Sequence, residues 1–252
     1  MVNKMQVVVS FVLALIVLAA PGMVLAEKLQ IEGSTTVGPI ADAFMEAFMK
    51  KYPGVQITVR KTGSGDGAAA LVDDRCDIAN MSRFMKEKEF KKAVQNGVFP
   101  VAHVVAMDGV SVCVHPRNPV KELTTSQIRD IFMGKITNWR QLGGPNMEIV
   151  PISRDSSSGT FETFHKLVMK KADMADNVET VPSNPAMHGR ISKTPAAIGY
   201  LGLGFVDDDV KPLEVDGVMP SEKTIASGVY PVSRPLFMFT DGYPKLGGMV
   251  HA

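Results

Sequence analysis

"LQIEGSTTVGPIADAF", residues 29–44, sets a short alternating segment against a turn of glycine and hydroxyl residues and then an apolar helical stripe. Residues 29–32 read as a strand and residues 33–39 as the turn. Ile40, Ala43, Phe44, Ala47 and Phe48 then fall on one face of a helix. Tyr52-Pro53-Gly54 ends that helix, and residues 55–59 alternate as a second strand. TGSGDG (62–67) opens another helix through residues 68–72, and a third strand begins at Asp77 and runs out at Asn80-Met81-Ser82-Arg83. Strand, hydroxyl-rich turn, helix, repeated, implies parallel strands with helices packed on the sheet. In open sheets of this kind ligands collect beyond the carboxyl ends of the strands, where these turns lie.

Further along, residues 108–116 read as a long buried strand, and Thr125-Ser126-Gln127 begins a helix carrying Ile128, Ile131 and Phe132. Residues 149–152 form a strand that ends at SRDSSSGTF (153–161), after which Phe161, Phe164, Leu167 and Val168 recur at helical spacing. Serine and threonine are ordinary helix caps, and the free N–H groups of a helix start also favour an anion. The two roles are compatible: Ser158, Gly159 and Thr160 can begin the helix while facing a ligand. The chain turns apolar again at residues 196–200, with glycines at 202 and 204. Two interleaved lobes are expected, residues 27–109 with 196–252 in one and 110–195 in the other. Hinge closure is expected near 108–115 and 195–202.

Residues 1–26 combine Lys4, an apolar run over residues 7–20 and the small-residue pattern Val24-Leu25-Ala26, the form of a secretory signal peptide. Without them the chain has 26 basic and 26 acidic residues, a balance that disfavours general affinity for nucleic acid or anionic membrane. Any anion selectivity must be local. Cys76 and Cys113 leave both a disulfide and two buried thiols open. The five histidines form no metal-binding spacing, so neither metal nor cofactor is expected.

GSTT (33–36), TGSG (62–65), DIANMSR (77–83) and SRDSSSGT (153–160) together offer hydroxyls, glycine-adjacent N–H groups, an arginine and a carboxylate. In this order and spacing they resemble the phosphate-binding proteins of bacterial phosphate ABC transporters, in the periplasmic substrate-binding superfamily. LTTSQIRDIFMGKITNW (123–139) is similar to a signature of that family that carries no ligand residue, and the likeness extends from about residue 29 to 245. The resemblance implies an α/β protein of two lobes, each a mixed sheet flanked by helices, with the ligand cleft between them. It implies a soluble, monomeric periplasmic protein that closes around inorganic phosphate and delivers it to a membrane-embedded permease.

Carried over segment by segment, the implied phosphate-binding residues are Thr35, Thr36, Ser64, Asp77, Arg154, Ser158, Gly159 and Thr160, with Ser34 and Ser82 as adjacent candidates. Phosphate keeps a proton at neutral pH whereas sulfate keeps none. An acceptor carboxylate at Asp77 would therefore select by repulsion, at about 1–3 kcal/mol for a buried acceptor facing an acceptor. Two departures stand out. The family continues into a long final helix on the first lobe where this sequence reads GGMVHA, and absence of that helix would expose an apolar patch. Thr36 also stands where some members carry an aromatic residue. The rival readings are a receptor for another oxyanion such as sulfate or molybdate, and a secreted serine hydrolase or phosphatase using Ser157 or Ser158 with His165. The second lacks a G-x-S-x-G elbow.

Overall fold

The computed structural model describes residues 27–244; the leader at residues 1–26 and the GGMVHA tail lie outside the described residues. Strand β1 (Glu27–Gly33) leads through the Ser34 turn into α1 (Gly38–Lys51), then β2 (Val55–Lys61), α2 (Ser64–Val72), β3 (Ile78–Met81) and α3 (Glu87–Gln95). A 15-residue strand, β4 (Pro100–Val114), follows, then β5 (Glu122–Leu123), α4 (Thr125–Phe132), β6 (Val150–Arg154) and α5 (Gly159–Leu167). The remaining elements are β7 (Glu179–Val181), α6 (Asn184–Ser192), β8 (Ala197–Gly202), β9 (Lys211–Pro212), β10 (Glu214–Val215), α7 (Glu222–Ala226) and β11 (Ser233–Asp241).

The main sheet runs β2-β1-β3-β11-β4-β8-β6-β7. Pairs β1–β2, β1–β3, β6–β7 and β6–β8 are parallel, while β11 and β8 run antiparallel to β4. The expected two-lobed α/β fold with mixed sheets is present, and β4 joins its halves. Residues 100–109 of β4 pair with β11, and residues 110–114 pair with β8.

That pairing departs from the expected partition at one boundary. Residues 197–202 are buried throughout because β8 is a central strand of the second lobe, between β4 and β6. The apolar run that read as a return to the first lobe is core of the second. The chain crosses back at Val232 and Ser233 instead, where Ser233 pairs with Gly109.

In the first lobe Ala68, Leu71 and Val72 of α2 and Ala93 of α3 pack on Ala79, Met81, Phe237 and Phe239. On the opposite face α1 contributes Ala41 against Ile31, Ile78 and Met238. The predicted stripe of α1 behaves differently: Phe44 is 52% exposed. Together with Phe48, Val105, Met238 and Tyr243 it borders an apolar groove of about 770 Å³ instead of closing onto the sheet. In the second lobe Ile128, Ile131, Phe132 and Trp139, from the signature segment, form a core with Val112, Phe164 and Tyr200. Cys76 and Cys113 are both buried free thiols, one in each lobe.

Candidate anion site between the lobes

The hydroxyl-rich turns meet where the lobes face one another. Ser34 Oγ accepts from the N–H groups of Thr36 (3.1 Å) and Val37 (3.4 Å), so it shapes the turn that opens α1. That leaves Thr35 and Thr36 facing the other lobe. Thr36 Oγ1 lies 3.1 Å from Thr160 Oγ1, and the Asn184 side-chain amide donates to Thr35 Oγ1 (3.1 Å) and Thr36 Oγ1 (2.9 Å). Ser158 caps α5 by accepting from the Phe161 N–H at 3.2 Å. The next residues, Gly159 and Thr160, are buried in the first turn, where helical N–H groups lack partners within the helix.

Ser64 and Ser82 form the floor on the first lobe. Ser64 Oγ accepts from the Ser82 N–H at 3.0 Å and lies 3.2 Å from Ser82 Oγ. Glycine is needed at position 159 for this approach: a Cβ there would sit 2.4 Å from Ser64 Oγ and 2.6 Å from Ser82 Oγ. The Gly65 N–H donates to the Ser157 carbonyl at 2.8 Å, a second backbone-close contact across the cleft. Ser157 is half-buried and its hydroxyl donates to Asp155 at 2.7 Å. His165 stacks on Phe161 and is hydrogen-bonded to neither Ser157 nor Ser158, so no nucleophile–base pair is formed here.

Two buried arginines dominate the electrostatics. Arg154, at the end of β6, donates through Nε to the Val181 carbonyl (3.2 Å) and through Nη2 to the Pro182 carbonyl (2.9 Å). Its Nη1 is buried without a partner. Burial lowers its pKa from the ordinary value; Asp155 opposes that shift and the nearby charge of Arg234 adds to it. Arg234, on β11, reaches Asp108 Oδ2 through Nε (3.0 Å) and Nη2 (2.8 Å), and Nη2 also donates to Thr160 Oγ1 at 3.0 Å. Its Nη1 too is buried and unpartnered. Buried polar groups rarely stay unpaired, and guanidinium donors, hydroxyls and helix starts are each groups suited to an anion.

Asp77 is not part of this cluster. It is exposed at the amino end of β3 and accepts the Gln30 N–H at 2.7 Å. The four residues of β3 separate it from Ser82, because the site lies beyond the carboxyl ends of the parallel strands and Asp77 precedes its strand. The carboxylate at the cluster is Asp108, whose Oδ1 also accepts the Leu203 N–H at 3.0 Å. Asp108, Asn184 and Arg234 were not anticipated. The sequence held a partial signal for Asp108, the lone acid within the 15 residues of β4, whereas Arg234 stands between Ser233 and Pro235 at the start of β11, where a charge is ordinary. Asn184 had none, since it reads as the start of a Ser-capped helix.

A family model described as a PBP superfamily domain matches residues 21–251. The phosphate-binding protein PstS of Bacillus subtilis is 36% identical over 216 residues, 85% of this chain and 70% of that protein. The chain belongs to the phosphate-binding protein family of the PBP superfamily. The PstS of Borreliella burgdorferi is 31% identical over 84% of this chain and 77% of its own. Among solved structures, a phosphate ABC transporter substrate-binding protein with bound phosphate from Clostridium perfringens superposes with a TM-score of 0.80 at 35% identity. It covers 86% of this chain and 87% of its own. An ABC-type phosphate transport receptor from Vibrio cholerae gives 0.69 at 32% identity, covering 86% and 88%. Members of this family are binding proteins. Among the described residues no helix is long and apolar enough to cross a membrane.

Proposed function

We propose that this chain is an exported, monomeric receptor that captures inorganic phosphate between its lobes and hands it to an ABC transporter permease, without catalysing a reaction. The observation that carries this reading is the pair of buried, unpartnered Nη1 groups on Arg154 and Arg234. One arginine comes from each lobe, if residues 27–109 with 233–244 form the first and 110–232 the second. Two like charges facing across a cleft repel, and an anion between them converts that repulsion into two charge-assisted hydrogen bonds. Ligand capture and closure are then one event.

In this reading Thr35, Thr36, Ser64, Ser82, Ser158, Gly159 and Thr160 supply hydroxyl and N–H donors around the oxyanion. Asp108 takes the role first given to Asp77. Arg234 and Leu203 hold its carboxylate by three N–H donors, and Oδ1 retains a lone pair for the proton that phosphate carries and sulfate does not. Gly109, between Asp108 and the second lobe, is the natural pivot. Any Cβ there would press on Ile225 and Tyr230, the nearest atom being Ile225 Cδ1 at 2.5 Å. The test is calorimetric titration of the leaderless chain with phosphate, sulfate and molybdate. One-site phosphate binding with weak sulfate and molybdate is expected; tight sulfate or molybdate with no phosphate would replace this reading with the other-oxyanion receptor.

A further inference from the structure

The arginine of the DIANMSR segment, Arg83, is also buried, at 9% exposure against 3% for Arg154, but each of its three side-chain nitrogens has a partner. Its Nη1 and Nη2 grip Glu89 of α3 at 2.8 and 2.7 Å, Nη1 also reaches the Phe84 carbonyl, and Nε donates to Glu162 Oε1 at 2.8 Å. Glu89 belongs to the first lobe, so that lobe alone fixes the guanidinium and presents Nε to the cleft. Glu162 belongs to the second lobe, on α5, three residues after Gly159. Lys86 Nζ, from the first lobe, lies 2.7 Å from the same Glu162 oxygen.

We infer that Arg83 and Lys86, through Glu162, form a cross-cleft latch that holds the first turn of α5 over the bound anion and sets its rate of release. This rests on the phosphate reading above. The latch touches no ligand. The α5 residues that do, Ser158, Gly159 and Thr160, ride on the same helix end as Glu162, so pulling Glu162 toward Arg83 presses that helix start into the site. The pair is partly desolvated, with side-chain exposures of 8% for Arg83 and 19% for Glu162, which sets it apart from a solvated surface ion pair of small net effect. Pre-fixing one partner also lowers the ordering cost when the other arrives. An acidic residue in a first helical turn is itself favourable, so Glu162 remains compatible with α5 in the open form.

The test is stopped-flow phosphate binding and release on wild type, Glu162→Gln and Lys86→Gln. Glu162→Gln is expected to release phosphate about tenfold faster, a change of about 1.4 kcal/mol, with the association rate and the phosphate-to-sulfate preference unchanged. Lys86→Gln is expected to shift release the same way by a smaller factor. A purely structural role for Glu162 would instead lower the melting temperature of the ligand-free protein and leave release unaffected. Release at the wild-type rate in Glu162→Gln, or an association rate that falls by the same factor, overturns the latch. If the wild type binds no phosphate, the phosphate reading fails on its own. The latch is then decided by X-ray scattering of ligand-free protein: a larger radius in Glu162→Gln supports it and an equal radius refutes it.

Discussion

Asp108→Asn separates the two duties assigned to this carboxylate, holding Arg234 and reading the proton of the anion. The wild-type carboxylate is 6% exposed and accepts three N–H groups, two of them from a guanidinium that is itself 4% exposed. Neutralising one member of so buried a pair leaves the other charge uncompensated, which costs about 3–5 kcal/mol. For a chain of this size each kcal/mol lowers the melting temperature by about 2–4 °C, so the ligand-free variant should melt roughly 6–20 °C lower. Loss of the acceptor facing the anion's proton should weaken phosphate by about 1–3 kcal/mol, roughly 5- to 150-fold. Sulfate should bind more tightly, since the repelling lone pair is gone. Thermal unfolding followed by circular dichroism reads the first effect, and competitive calorimetry with both anions reads the second. An unchanged melting temperature would refute the buried-pair argument. A lowered one with an unchanged phosphate-to-sulfate ratio would reduce Asp108 to scaffolding and refute its role in selection.

Three further outcomes are expected. Gly159→Ala should keep the fold, since alanine suits a helical first turn, yet weaken phosphate at least tenfold by driving Cβ against Ser64 and Ser82 on the other lobe; unchanged affinity by calorimetry would contradict the close approach. Asp77→Asn should leave the phosphate affinity within about twofold, because the carboxylate is exposed and serves only the Gln30 N–H; a large loss would return Asp77 to the site. Burial, and then the charges of Glu32 and Asp77, push the Cys76 thiol up to about 12, and burial raises Cys113 as well. At pH 8 neither should react with a thiol reagent before unfolding, and reduction should leave the native mass unchanged.

Most of the architecture could be read from local signals. The alternation of apolar residues, the glycine and hydroxyl turns and the helical stripes each act over a few residues, so β1, α1, β2, α2 and α5 fall where the pattern puts them. Thr35, Thr36, Ser64, Arg154 and Thr160 could be picked out as candidates for the same reason, since they sit at strand ends, in the turns after them or at the helix starts that follow. What failed depended on pairing across the sheet. Residues 197–202 are apolar whichever lobe they join, and only their register with Val110 to Val114 assigns them to the second. Asp77 and Asp108 both read as acids at the start of a strand, but Asp77 precedes β3 whereas Asp108 lies inside β4. The amino end of β3 keeps Asp77 away from the hydroxyl cluster, while Asp108 joins it through Arg234, 126 residues away in sequence. The stripe of α1 shows the same limit in reverse: Phe44 is placed on the apolar face by periodicity, but burial needs a partner surface that periodicity does not supply.

The proposed phosphate receptor holds one anion between Arg154 and Arg234. A crystal structure of the protein grown with phosphate would decide it. A single tetrahedral density bonded to Nη1 of both Arg154 and Arg234 is expected, with Thr160 and Ser64 hydroxyls in reach and Asp77 in solvent. Phosphate bound at Asp77, or a cleft left empty while both arginines turn to other partners, would contradict it.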